Sequence, residues 1–92
     1  MAPERLYFVV RTDLPEGRRM AQAIHAMDAW AARHGPQQGI VVVYGVPSEA
    51  ELMAHVPRTG RTCVWREPDL KHQATAFATD AGRMALPLLG KG

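Results

Sequence analysis

The chain has 92 residues, 47% of them hydrophobic and 22% charged. These are globular proportions, and they exclude a disordered, collagen-like or low-complexity chain. Eleven Lys and Arg against nine Asp and Glu leave a net charge of only +2, which excludes a strongly basic nucleic-acid binder by bulk charge.

This length predicts a single domain spanning 1–92 with one modest core. The longest apolar run, Ile40 to Tyr44, is far short of a membrane-spanning helix. Met1 to Arg5 shows no basic region leading into an apolar stretch, so no secretory signal and a cytoplasmic location are expected. Cys63 is the only cysteine, so neither an internal disulfide nor a cysteine-rich metal site is expected.

Arg5 to Arg11 is rich in β-branched and aromatic residues and reads as a buried strand. Thr12 or Asp13 can cap the helix that follows, Pro15 suits its first turn, and Glu16 suits its positive end. Met20, Ile24, Met27 and Ala31 recur at spacings of four, three and four, which predicts the core-facing stripe of a helix reaching His34. Gly35-Pro36 stops it. Gly39 to Val46 is a second strand, and its unbroken run of apolar residues predicts cover on both faces. Ser48 with Glu51 forms a capping box that opens a short helix to about Val56. Arg61 to Arg66 is a third strand, Glu67 to Lys71 a loop, and Gln73 to Thr79 a fourth strand. Strict alternation there puts Thr75 and Phe77 on one face and Ala74, Ala76 and Ala78 on the other. The tail, 80–92, either docks through Met84, Leu86 and Leu88 or stays loose.

Strands alternating with helices predict an α/β fold, a mixed four-stranded sheet with helices packed on it. Only about six residues join the last two strands, too few for a crossover helix, so an antiparallel pair or separate edge positions are expected.

Chemistry is expected first at the junction of the first strand and helix. Ligands of α/β sheets gather at the carboxyl ends of strands, and a helix start offers free amides and a positive dipole. Gly17 allows close approach there, and Arg18 and Arg19 add charge suited to a phosphate. On composition alone, a solvated first turn with two surface arginines is the stronger reading. Gln22 and His25, three residues apart, share one helix face. His25 suits a general base, although a packed helix histidine is the commoner case. His34 suits the negative end of its helix. The four histidines have no ligand spacing with a third donor nearby, so no metal is expected, and no cofactor fingerprint is present. Cys63 reads as buried and inert, and Trp30 and Trp65 as core or interface residues.

The run Tyr7-Phe8-Val9-Val10-Arg11-Thr12-Asp13-Leu14, then Gly17, then Met20-Ala21-Gln22-Ala23-Ile24-His25-Ala26, resembles the opening of the type 2 peptidyl-tRNA hydrolase family. That family starts with a strand ending in Arg-x-Asp-Leu and a helix carrying Ala-Gln-x-x-His-Ala. The resemblance covers roughly Leu6 to Thr79. It implies hydrolysis of the ester joining a peptidyl or N-blocked aminoacyl group to the 3′ end of tRNA. It further implies a homodimer, no cofactor, no DNA partner and no membrane. Arg18 and Arg19 stand where the family has lysine, near the phosphates of the acceptor end, with Asp13 beside them. Gln22 and His25 match directly, and Thr75 matches a threonine of the family site.

The family's Asp-Ala-Gly-Arg-Thr-Gln loop is replaced here by Glu67-Pro68-Asp69-Leu70-Lys71-His72-Gln73, which keeps a carboxylate as Glu67 or Asp69. Trp65, Glu67-Pro68 and Thr75 together look more like the divergent peptidyl-tRNA hydrolase domain-containing branch. For that branch the alternative is a catalytically inactive protein- or RNA-binding module on the same fold. The hydrolase reading expects Arg18, His25, Glu67 and Thr75 to converge. The binding reading expects these side chains to pair with each other or scatter.

Overall fold

The computed structural model describes residues 5–36, 39–82 and 84–89. Its elements are β1 (Arg5–Arg11), α1 (Glu16–His34), β2 (Ile40–Val46), α2 (Glu49–Ala54), β3 (Thr62–Glu67) and β4 (Gln73–Thr79), with a 3₁₀ turn at Pro68–Leu70. The four strands form one sheet in the order β2-β1-β4-β3. β1 and β2 run parallel, which requires the α1 crossover, while β4 runs antiparallel to both of its neighbours. This is the α/β architecture expected from the order of elements, with helices packed on a mixed sheet. No helix among the described residues is long and apolar enough to cross a membrane.

Local chemistry explains most of the boundaries. α2 starts at a capping box: Ser48 Oγ accepts from the Glu51 N–H at 3.1 Å. It ends at Ala54, with His55 Nδ1 paired to the Glu51 carbonyl at 2.8 Å, so it stops short of Val56. α1 stops at Gly35, whose φ of 83° favours glycine and whose N–H donates to the Ala31 carbonyl. The start of α1 differs from the expectation. Pro15 occupies the cap position and no side chain caps the helix. Thr12 instead donates to the Val46 carbonyl, and Asp13 pairs with Arg11.

The apolar stripe expected to face the core does not. Met20 and Ile24 are 62% and 63% exposed, and Met27 is 38% exposed. The buried side of α1 is Gln22, Ala26 and Trp30. Ala26 and Trp30, with Ala23 half-buried beside them, pack on Leu6, Phe8, Val10, Cys63, Ala76 and Ala78. The reason is steric and energetic. Alanines at 23 and 26 let the helix approach a sheet face already filled by Phe8, and burying Trp30 removes the largest apolar side chain on α1 from water.

β4 also departs from strict alternation. Trp65 pairs with Ala76 and Arg66 with Ala74, so Thr75 is an extra residue opposite a single step of β3. This bulge turns Thr75 toward α1, while Phe77 and Ala74 pack on the opposite face with Tyr7, Val9, Tyr44, Val46 and Leu52. Thr75 and Phe77 therefore lie on opposite faces.

β2 is an edge strand and only partly covered. Ile40 and Val41 are each 40% exposed, because cover arrives only further along. There the tail pairs with the edge: the Gly45 N–H donates to the Pro87 carbonyl, and the Leu89 N–H to Val43. Met84 and Leu86 pack on the Tyr7–Phe77 cluster. Thus 84–89 dock through Met84 and Leu86, whereas Leu88, also expected to pack, meets Tyr44 only by a backbone bridge and stays 46% exposed; the segment closes an edge that would otherwise be open. Position 83 and 90–92 lie outside the described residues.

Candidate functional site

The bulge in β4 builds the most distinctive polar cluster in the molecule. Thr75, fully buried, donates from Oγ1 to Gln22 Oε1 at 2.7 Å. Gln22, 3% exposed, comes from the sheet-facing side of α1. With its oxygen engaged by Thr75, its amide nitrogen is free to serve Glu67, at the end of β3. That amide is the largest influence holding the Glu67 carboxyl below the usual carboxylate range. Burial opposes it, while the Asp69 N–H, the Trp65 indole and the charge of His25 act in the same direction.

Trp65 and Glu67 sit two residues apart in β3 and so share the face that looks toward α1. The His25 imidazole lies on the Trp65 ring, with centroids 4.7 Å apart and planes 20° from parallel. His25 is solvent-exposed on its outer side. The Trp65 indole N–H is buried and makes no hydrogen bond of normal geometry, the one such side-chain atom among the described residues. The arrangement is thus an exposed imidazole stacked on an aromatic ring, a Glu67 carboxyl made more acidic by Gln22 and His25, and a buried Thr75–Gln22 hydrogen bond behind them.

A second polar cluster caps the carboxyl end of β1. Arg11, only 8% exposed, forms a two-pronged ion pair with Asp13, at 2.9 Å from Nε and 2.7 Å from Nη2. Its Nη1 donates to Gln73 Oε1 at 3.0 Å and to the Ala74 carbonyl at 3.3 Å. Glu49 Oε2 accepts from the Ala74 N–H at 2.7 Å. The Arg11 hydrogen bond holds the Asp13 carboxyl below its ordinary range, against a smaller opposing effect of burial. This cluster ties β1, β4 and α2 together.

The residues expected to matter therefore divide. Gln22, His25, Glu67 and Thr75 come together. Asp13 is committed to Arg11 rather than to the cluster. Arg19 is a staple, its Nε donating to the Leu14 carbonyl at 2.7 Å. Arg18 is exposed in the first turns of α1. Two contributors escaped the sequence reading. Trp65 is the platform for His25, and its i,i+2 relation to Glu67 was the available signal. Arg11 is the organiser of the strand end, and the Arg-x-Asp spacing was its signal. Among the described residues no three His, Cys, Asp or Glu side chains are grouped to hold a metal ion. Cys63 is buried in the apolar core.

No protein-family model matches this chain, and a search of curated proteins finds no match.

Proposed function

We propose that this protein hydrolyses an acyl ester of the tRNA 3′ end, with His25 as the general base. The carrying observation is the convergence of Gln22, His25, Glu67 and Thr75, drawn from α1, β3 and β4, into one cluster. In this reading His25 takes a proton from a water as the water's oxygen attacks the acyl carbon. The tetrahedral intermediate then collapses, the bond to the ribose oxygen breaks, and the imidazolium returns the proton to that oxygen. Glu67, held ionised, stabilises the imidazolium between the two steps, as a carboxylate partner does in other base-assisted acyl transfers. Gln22 and Thr75 act as positioning residues: Thr75 has no exposed surface and cannot reach an ester, but it fixes which end of the Gln22 amide faces Glu67. Arg18, exposed in the first turns of α1, meets a phosphate of the acceptor end.

A second reading, a catalytically silent binding module, is favoured by one observation: the Thr75 hydroxyl and the Gln22 oxygen are spent on each other in the interior. Deacylation of an N-blocked aminoacyl-tRNA separates the two. The hydrolase reading expects turnover that His25→Ala lowers by about two to four orders of magnitude, with the melting temperature retained. Wild-type turnover no faster than the spontaneous rate favours the binding module.

A further inference from the structure

The sheet face opposite His25 has a thinner roof than the face under α1. α2 is only six residues long, and its buried side chain, Leu52, joins Tyr7, Val9, Tyr44 and Phe77. The rest of that face is roofed by the tail segment along the β2 edge. Tyr44 bridges to Leu88 there, and its hydroxyl accepts from the Met84 N–H at 3.5 Å. Beneath this roof lies a cavity of about 200 Å³ that no step of the proposed reaction uses. Its floor is sheet. Arg5 and Tyr7 stand two apart on β1, Val42 and Tyr44 two apart on β2, and Tyr7 pairs with Val42 in register. Its roof is Met84, Leu86 and Leu88, at alternate positions of the tail.

We propose that this cavity binds a small aromatic carboxylate, its ring against the two tyrosines and its acid group on Arg5. Three features favour this occupant. The first is size. An apolar cavity of about 150 Å³ takes benzene. A volume of about 200 Å³ therefore leaves room for one ring and a short acid arm. The second is the walls. The Tyr7 and Tyr44 rings lie 10° from parallel with centroids 6.2 Å apart, and the two residues are only 6% and 3% exposed. They are held in place before any ligand arrives, so a flat ring packs on them with little loss of side-chain freedom. Met84 and Leu86 close over the other side, and a thioether is itself a favourable neighbour of an aromatic ring. The third is charge. Among the described lining residues Arg5 supplies the only charge and no carboxylate competes for it. Its planar fork matches a carboxylate with two parallel hydrogen bonds. The Tyr44 hydroxyl, accepting from Met84, keeps its own proton to donate. A cation meets the wrong charge here, and a plain hydrocarbon leaves the guanidinium unused.

This inference is independent of the hydrolase reading, because the cavity and the Trp65 ring that carries His25 lie on opposite faces of the sheet. Phenylacetate is titrated into the full chain and followed by backbone amide chemical shifts, with phenylacetamide as its uncharged counterpart. Saturable shifts at Tyr7, Val42, Tyr44 and Leu86 are expected, with a dissociation constant of about 1 mM or below for the acid. The amide is expected to bind at least tenfold more weakly. Arg5→Gln, at an exposed strand end, is expected to weaken the acid at least tenfold and leave the amide unchanged, with the melting temperature retained. Val42→Phe fills the cavity from its floor and is expected to abolish binding of both. No saturable shift with the acid below about 10 mM overturns the inference, as do shifts centred on α1 or binding that survives Val42→Phe. Equal affinity for acid and amide, or acid binding undiminished in Arg5→Gln, overturns the assignment of a carboxylate.

Discussion

At the scale of single residues, the site depends on side chains whose roles differ from their types. Thr75 carries a hydroxyl yet lies fully buried, so its contribution passes through Gln22 to Glu67. Trp65 is half-buried, and its two features separate cleanly. Its ring supports His25, and its buried N–H leans on the Glu67 carboxylate without a hydrogen bond of normal geometry. Trp65→Phe keeps an aromatic platform and removes the donor. Stability is expected within about 1 kcal/mol of wild type in urea unfolding, because the donor removed makes no hydrogen bond of normal geometry and its loss offsets part of the lost ring volume. Deacylation is expected within a few-fold of wild type, whereas Trp65→Ala, which takes the platform away, is expected to lose at least tenfold. Equal losses in the two variants contradict a platform role. The Gln22–His25 pair was legible at this scale because three-residue spacing on a helix sets two side chains on neighbouring positions. The hold of Arg11 on the sheet was not, because its partners Gln73 and Ala74 come from a strand more than sixty residues away.

At the scale of elements, boundaries were easier to read than faces. The strands, the Ser48 capping box and the Gly35 stop follow from local chemistry, and all are present within a residue or two. The buried face of α1 was misread for a physical reason: the helix has two apolar stripes, and the more regular one in sequence is the exposed one. Gln22, the polar member of the true inner face, disguised that face. Substitution distinguishes the two sides directly. Met20→Ser, at a position 62% exposed, is expected to change unfolding free energy by less than about 0.5 kcal/mol. Ala26→Leu, which forces three more carbons between α1 and the Phe8 layer, is expected to cost about 1–3 kcal/mol. The reverse order contradicts the assigned orientation. The bulge that turns Thr75 toward α1 was equally illegible, since it is a property of how β3 pairs with β4 rather than of either strand alone.

For the whole molecule, three layers are held by two apolar clusters on either side of the sheet, and carboxylates pin the periphery. Asp13 and Glu67 are held below their ordinary range by Arg11 and Gln22, respectively. At Asp80, burial is the largest single influence and raises its pKa, but the Arg61 N–H and guanidinium together outweigh it. The sign follows: each group is more acidic folded than unfolded, so each adds stability above the unfolded carboxylate range near pH 4, and loses it as pH falls through the folded value. Urea unfolding is expected to show declining stability below about pH 4, with a shallower decline in Asp13→Asn. A stability independent of pH in that range contradicts these assignments. The docked tail belongs to this scale too. Its apolar residues were visible in sequence, but the exposed edge of β2 that receives them became visible only once the strand order was known.

Whether His25 and Glu67 act as one unit on an acyl ester is decided by a double-mutant cycle in single-turnover deacylation of N-blocked aminoacyl-tRNA. Wild type, His25→Ala, Glu67→Gln and the double variant are compared at matched folding. Joint action predicts turnover well above the spontaneous rate for wild type, large losses in both single variants, and a double variant no worse than His25→Ala, because the carboxylate has no imidazolium left to stabilise. Fully additive losses, or wild-type turnover at the spontaneous rate, contradict it.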